Sequence, residues 1–168
     1  MPLDNCKRSQ CYEIFSQSTG LEISGMSKTL KEHDQAVGRI GRIQLRFFKL
    51  MPKSKPEEVT QIRFICEPDE AYNLAIMIAQ IAGSSVPCKE KLNPHKFQAG
   101  EQGETVTTLA VEKWERSGKN GFALTVSRGK DFISVPVPQI KFQFLAEFLR
   151  HLAVEQCWIE RLERRASI

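Results

Sequence analysis

The stretch Arg63–Ala82, RFICEPDEAYNLAIMIAQIA, decides the fold. Its first residues continue an alternation that begins at Thr60: Ile62, Phe64 and Cys66 fall on one side and Gln61, Arg63 and Ile65 on the other. A period of two is that of a strand with one buried face. Pro68, Asp69 and Glu70 then start a helix, because proline lacks only an N–H that the first turn would leave unused and carboxylates suit the positive end of the helix dipole. Leu74, Met77, Ile78 and Ile81 recur at helical spacing, and Gly83, Ser84 and Ser85 end the run. A strand here leads into a helix that follows the strands instead of separating them.

Upstream, Ile43, Leu45 and Phe47 alternate with Arg42, Gln44, Arg46 and Phe48, which predicts a second strand over Arg42–Lys49. The Pro- and Lys-rich piece Met51–Glu58 joins the two as a hairpin. Lys28–Gly41, polar with two glycines, reads as a loop or an irregular lead-in. Tyr12–Met26 reads as one or two short strands around a turn at Ser18–Gly20, and Met1–Gln10 as a frayed start.

Downstream, Lys89–Gly103 is polar, with Pro94 and two glycines, and reads as a linker between halves. Thr105–Arg116 is strand-like, with Val106, Thr108, Ala110 and Trp114 on one face and Leu109 and Val111 on the other; core packing is the expected role of Trp114. Ser117–Asn120 turns the chain into Phe122–Arg128, whose inward side is Phe122, Leu124 and Val126, and Gly129–Lys130 turns it again into Phe132–Val137. After Pro138 the spacing of Phe144, Leu145, Phe148, Leu149 and Leu152 predicts a long helix running past Trp158. RFICEP at Arg63–Pro68 and DFISVP at Asp131–Pro136 match at Phe, Ile and Pro, 68 residues apart (132 − 64), and each is followed by an amphipathic helix.

These readings predict an α+β fold of two related halves, each of antiparallel strands followed by a helix. The expected divisions are a flexible start over 1–10, a first repeat over 11–85, a linker over 86–104, a second repeat over 105–160 and a charged tail over 161–168. No GxGxxG or Walker sequence opposes this order. The open face of each sheet, opposite its helix, is where function is expected.

Composition narrows the field. At 168 residues and 41% hydrophobic, the chain can fill an ordinary core, which argues against disorder. A formal charge of +4 and a pI near 8.8 admit a polyanionic partner without demanding one. No run approaches the roughly 18 to 20 apolar residues that span a bilayer, and MPLDNCKRSQ has no secretory apolar core, so a cytoplasmic protein without membrane attachment is expected. Cys6, Cys11, Cys66, Cys88 and Cys157 are odd in number and irregularly spaced, which fits a reducing compartment.

Arg42, Gln44, Arg46 and Phe48, with Arg63 from the partner strand, interleave cations with a ring, as single-stranded nucleic acid requires: cations neutralise phosphates and rings stack on bases. Lys113, Trp114, Arg116, Lys119, Arg128 and Lys130 gather around the turns of the second half. Against this stands the ordinary use of charge on exposed strands for solubility and to discourage edge pairing. Catalytic and metal signals are weak. His33, His95 and His151 have no ligand at zinc spacing, Cys6 and Cys11 form a lone C-x4-C, and Cys88 with His95 sits in the stretch read as a linker. Glu147, His151 and Glu155 share a helix face as ordinary surface pairing. The tail tetrad Arg164–Ser167, RRAS, matches a basic phosphorylation context, a frequent coincidence. No enzymatic activity, cofactor or metal is expected.

The second half, EKWERSGKNGFALTVSRGKDFISVPV followed by a helix rich in Phe and Leu, resembles the strand-strand-strand-helix unit of the Whirly-type superfamily. That superfamily includes single-strand-binding transcriptional coactivators and purine-rich-element-binding proteins. The resemblance covers Thr105–Trp158 and rests on the basic turn SGKNG leading into GFALTVSR. It implies twisted antiparallel sheets whose exposed faces bind single-stranded DNA or RNA, backed by helices that form a pairing core. By position it implies contacts from Lys113, Trp114, Arg116, Lys119, Phe122 and Arg128. In the first half only two strands are clear before the helix. The function expected is binding of single-stranded nucleic acid with little sequence preference, with a homodimer as a further partner; the rival is an assembly module that pairs through its helices and sheet edges.

Overall fold

The computed structural model describes residues 6–98 and 103–163. Sheet 1 holds β1 (Cys11–Phe15), β2 (Thr19–Glu32), β3 (Gln35–Lys49) and β4 (Gln61–Cys66) in that order, all antiparallel. Helix α1 (Pro68–Ala82) follows. Sheet 2 holds β5 (Cys88–Lys91) and β6 (His95–Gln98), both paired to β7 (Glu104–Arg116), then β8 (Lys119–Arg128) and β9 (Asp131–Val137). Helix α2 (Gln139–Glu155) follows, and β10 (Ile159–Arg161) returns to sheet 1 beside β3. The architecture is therefore α+β, with antiparallel sheets each followed by a helix.

Alternation places the core. Ile43, Leu45, Phe47, Ile62, Phe64 and Cys66 point inward from sheet 1, and Leu109, Val111, Leu124, Val126, Ile133 and Val135 from sheet 2, all at most 2% exposed. The helices pack on each other and close the core with Leu74, Ile78 and Ile81 from α1 and Phe142, Leu145, Leu149 and Leu152 from α2. The sheets touch where Thr19 Oγ1 donates to the Ser134 carbonyl at 2.9 Å. Arg128 adds a second link, donating to the Arg63 carbonyl at 3.1 Å.

Four expectations change. Lys28–Gly41 is no loop: it is the tip of the β2–β3 hairpin, turned at His33 and Asp34 with φ of 50° and 62°. The stretch 86–104 contains β5 and β6. His95 on β6 stacks on the buried Phe64 ring at 4.0 Å and bonds the Glu70 carboxylate at 2.7 Å, so this stretch is fastened to both the strand and the helix before it. Helix α2 stops at Glu155, short of Trp158, with Gln156 as its cap.

The fourth change concerns the repeat. A 68-residue offset equates Phe64, 1% exposed, with Phe132, 63% exposed, and so puts the copies on opposite faces. The helix starts, Pro68 and Gln139, lie 71 residues apart (139 − 68). That odd offset matches Ile62, Phe64 and Cys66 to Ile133, Val135 and Val137, and Leu74, Ile78 and Ile81 to Leu145, Leu149 and Leu152, every one buried. The halves do share an element order, but the RFICEP and DFISVP match is not its register. The Arg164–Ser167 tetrad lies outside the described residues.

Candidate nucleic-acid interface

Strand parity fixes which side chains share a face, since residues directly opposite in an antiparallel pair point the same way. In sheet 2, Leu109, Val111, Leu124 and Val126 face the helices, so Thr108, Ala110, Glu112, Trp114 and Arg116 of β7 face outward. Opposite them stand Ser127, Thr125, Ala123, Gly121 and Lys119 of β8. Phe132, Ser134 and Pro136 of β9 extend the same face on one side. Lys89, Lys91 and Lys96, paired to Glu112, Ala110 and Val106, edge it on the other.

Trp114 therefore belongs to the outer face and not to the core. Its ring packs against Gly121, where a Cβ would lie 2.5 Å from it, so the glycine lets the indole come close to the strand. The Arg116 guanidinium stands 6.0 Å from the ring centroid, and Lys119 is opposite Arg116 across the hairpin. The turn between them, Ser117 and Gly118, takes φ of 52° and 75°, the left-handed pair that two-residue hairpins use. At the other end, Phe132 exposes 63% of its surface. Between the two rings lie small hydroxyl residues, with Thr125 Oγ1 and Ser134 Oγ 2.9 Å apart. The face thus combines an exposed Phe132 ring and a half-buried Trp114 indole with short hydroxyl side chains and a lysine border, with Glu112 as an acid within it.

Three residues expected at this interface are placed elsewhere. Phe122 is 6% exposed and stacks on Phe142 of α2 at 4.3 Å, so it is core. Lys113 has inward parity; its Nζ donates to the Ser84 carbonyl at 2.6 Å, just past the end of α1. Arg128 also turns inward, donating from Nε to Thr107 Oγ1 at 3.2 Å. Lys130 is exposed in the β8–β9 turn. Lys89, Lys91, Lys96 and Phe132 share this face although the sequence alone does not place them there. The alternating lysines of Cys88–Lys91, CKEK, are the one local sign of a strand there.

Sheet 1 brings Arg42, Gln44, Arg46 and Phe48 onto one outer face, with Arg63 directly opposite Arg46. Two of these three arginines are engaged, however, while Arg63 is exposed. Arg46 donates to Glu22 at 2.9 Å and to Gln61 at 3.2 Å and lies 4.9 Å from the Phe48 ring centroid, while Arg42 pairs with Glu67 at 3.5 Å. Cys11, Glu13 and Glu22 bring three ligand atoms within 4.8 Å of one another, all on an accessible surface.

By sequence, neither a protein-family model nor a curated protein matches the chain. By structure, it is similar to WHY3 from Arabidopsis thaliana, at a TM-score of 0.54 and 10% identity over 90% of each chain. It is likewise similar to WHY1 from the same plant, at 0.54 and 13% identity over 90% of this chain and 87% of that one. Antiparallel sheets, two helices and near-complete mutual coverage give this chain the fold of the Whirly proteins.

Proposed function

We propose that the protein binds single-stranded DNA or RNA on the outer face of sheet 2, as a binding protein without catalytic activity. The observation that carries this is Trp114 packed against Gly121 on the outer face with Arg116 and Lys119 beside it. A half-buried indole on the outer face offers a base a stacking surface on its uncovered part, and the cations and lysine border offer the phosphates their counter-charge. Stacking is indifferent to base identity, so little sequence preference is expected. The Whirly-type resemblance of Thr105–Trp158 implies the same ligand. The five cysteines are all free, which suits a reducing, cytoplasmic setting. No described helix is long and apolar enough to cross a membrane.

Fluorescence anisotropy with labelled single-stranded oligonucleotides tests this reading. Saturable binding at low salt, weakening steadily as salt rises and weaker for a duplex of the same sequence, is the expected result. No binding at micromolar protein and low salt would end it.

A second reading, pairing of two chains through their helices, draws on exposed apolar side chains there: Tyr72 and Ile76 on α1 and Ile140, Phe144 and Val154 on α2. Light scattering after size exclusion reads it directly: a mass of 19.1 kDa across the concentration range counts against pairing.

A further inference from the structure

The outer face of sheet 1 has the ingredients of a strand-binding surface and an arrangement that opposes such use. Across β1 to β4, Phe15, Gly20, Phe48 and Gln61 form one row of directly opposed residues, and Glu13, Glu22, Arg46 and Arg63 form the next. Phe15 is 52% exposed and meets Phe48 edge-on at 5.9 Å. The rings and the two arginines are what a single strand would need.

Glu13 and Glu22 stand directly opposite each other on β1 and β2. Like charges so placed destabilise a sheet, so the fold gains nothing from the pair. Only Glu22 has a cation against it, and that contact also occupies Arg46, which is held between Glu22, Gln61 and the Phe48 ring. The local potential is negative enough that, after burial, the Glu22 and Glu13 carboxylates push the Cys11 thiol up despite Arg46 nearby. A phosphate laid over the β1–β2–β3 part of this row would meet the Glu13 carboxylate and an Arg46 already held by Glu22, which leaves the exposed Arg63 on β4 as the cation at the far end of the row. Among the described residues sheet 2 has no such opposed acids on its outer face: across from Glu112 stand Lys89 and Ala123.

We propose that Glu13 and Glu22 exclude the phosphate backbone from sheet 1, so that each chain offers a strand one face, that of sheet 2, although both halves carry rings and arginines. This is specificity through repulsion: the acids weaken a competing placement without improving the favoured one. It rests on the reading of sheet 2 given above.

The test is the double variant Glu13→Gln/Glu22→Gln, which keeps side-chain shape and leaves an amide oxygen at position 22 to accept from Arg46. Short oligothymidylates are titrated into wild type and variant, with both anisotropy and tryptophan emission recorded. β1 to β4 contain no tryptophan, and with both proteins carried in a Trp158→Phe background, which removes the indole beside Gly41 of β3, Trp114 on the sheet 2 face is the remaining tryptophan, so the two surfaces report separately. Wild type should bind one oligonucleotide per chain with a change in emission. The variant should bind a second without further change, and its plot of log affinity against log salt for a longer strand should steepen by about 1.4, for two added contacts at ~0.7 each. Wild-type binding with a variant unchanged in stoichiometry and slope overturns the inference and leaves the sheet 2 reading standing. A loss of wild-type affinity in Arg46→Ala or Phe48→Ala, with folding intact by circular dichroism, also overturns it, because sheet 1 would then already be in use. No binding by either protein removes the sheet 2 reading and this inference together.

Discussion

The indole of Trp114 rests on Gly121, its partner across the β7–β8 pairing, in a space that one added methyl group would fill: a Cβ there would lie 2.5 Å from the ring. The contact limits how the ring can sit on the strand, and in the proposed interface that ring is the platform for a base. Gly121→Ala should lift the indole off the strand. In a Trp158→Phe background, where Trp114 is the remaining tryptophan, its emission should move to longer wavelength and affinity for a single strand should fall. Unchanged emission and affinity would show that the glycine does not position the ring.

Substitutions at Trp114 and Phe122 should separate the proposed binding from folding. Trp114 lies outward and Phe122 stacks on Phe142 inside. Trp114→Ala should weaken strand binding by about 1–3 kcal/mol, roughly five- to 150-fold, with the unfolding midpoint little changed. Phe122→Ala should instead cost about 3–5 kcal/mol of stability in a denaturant titration. The opposite pattern would exchange the faces assigned to the two rings.

This division also shows what the sequence could reveal. Arg42–Lys49 and Gln61–Cys66 are legible because each has one buried and one wet face, so hydrophobicity alternates. The β2–β3 tip hides because, beyond the core, both faces of Ser27–Ala36 are largely solvated and no alternation can appear. Its turn residues, His33 and Asp34, also lack the glycine that usually marks left-handed backbone. Strands β5 and β6 hide because each has four residues at a sheet edge. The candidate site is half legible for a related reason. Parity within β7 puts Trp114 opposite in sense to Leu109 and Val111, but which set is inside depends on where the helices pack. Lys89, Lys91, Lys96 and Phe132 join Trp114 only through register with β7 and β8, which no single segment encodes.

The lysine border should show in the salt dependence. Each of Lys89→Ala, Lys91→Ala and Lys96→Ala removes a cation from the outer face of sheet 2 and should flatten the log–log slope of affinity against salt by about 0.7 for a contacted phosphate. Lys113→Ala should leave the slope unchanged, since its Nζ is held by the Ser84 carbonyl. A slope that responds to Lys113 and ignores the border lysines would place the strand elsewhere.

Gln156 fastens the end of α2 to sheet 1. Its Nε2 donates to the carbonyls of Met26 at 2.9 Å and Arg42 at 2.8 Å, and its Oε1 accepts from Trp158 Nε1 at 3.1 Å. The absence of side chains at Gly25 and Gly41 makes the niche: a Cβ at Gly25 would lie 2.7 Å from the Gln156 amide. Gln156→Ala should lower stability by about 1–3 kcal/mol by leaving acceptors without their donor. Gln156→Glu, with the same shape and no N–H, sets a carboxylate against two carbonyls and should be at least as damaging. Equal stability of wild type and Gln156→Glu in chemical denaturation would mean that the amide donors contribute nothing.

Cys66 should behave unlike a surface thiol. It is fully buried, and burial first, then the charge of Glu70 and the hydrogen bond its thiol donates to that carboxylate, push it well above the ordinary value of 9.0. Two outcomes follow. Thiol reagents at pH 8 should label the exposed Cys6, Cys11 and Cys157 in the native protein and reach Cys66 only on unfolding, since the thiolate is the reactive form. For stability, the unfolded thiol ionises near 9 while the folded one stays protonated, so the unfolded state binds fewer protons above that pH. The stabilisation from keeping this thiol neutral is present below about pH 9 and is lost as pH rises past it. Unfolding midpoints between about pH 8 and 10.5 should therefore fall more steeply for wild type than for Cys66→Ala, with Cys66→Val as a second apolar replacement in case the smaller one leaves a damaging cavity. Parallel pH profiles for all three proteins would show that the Cys66 thiol is not coupled to folding.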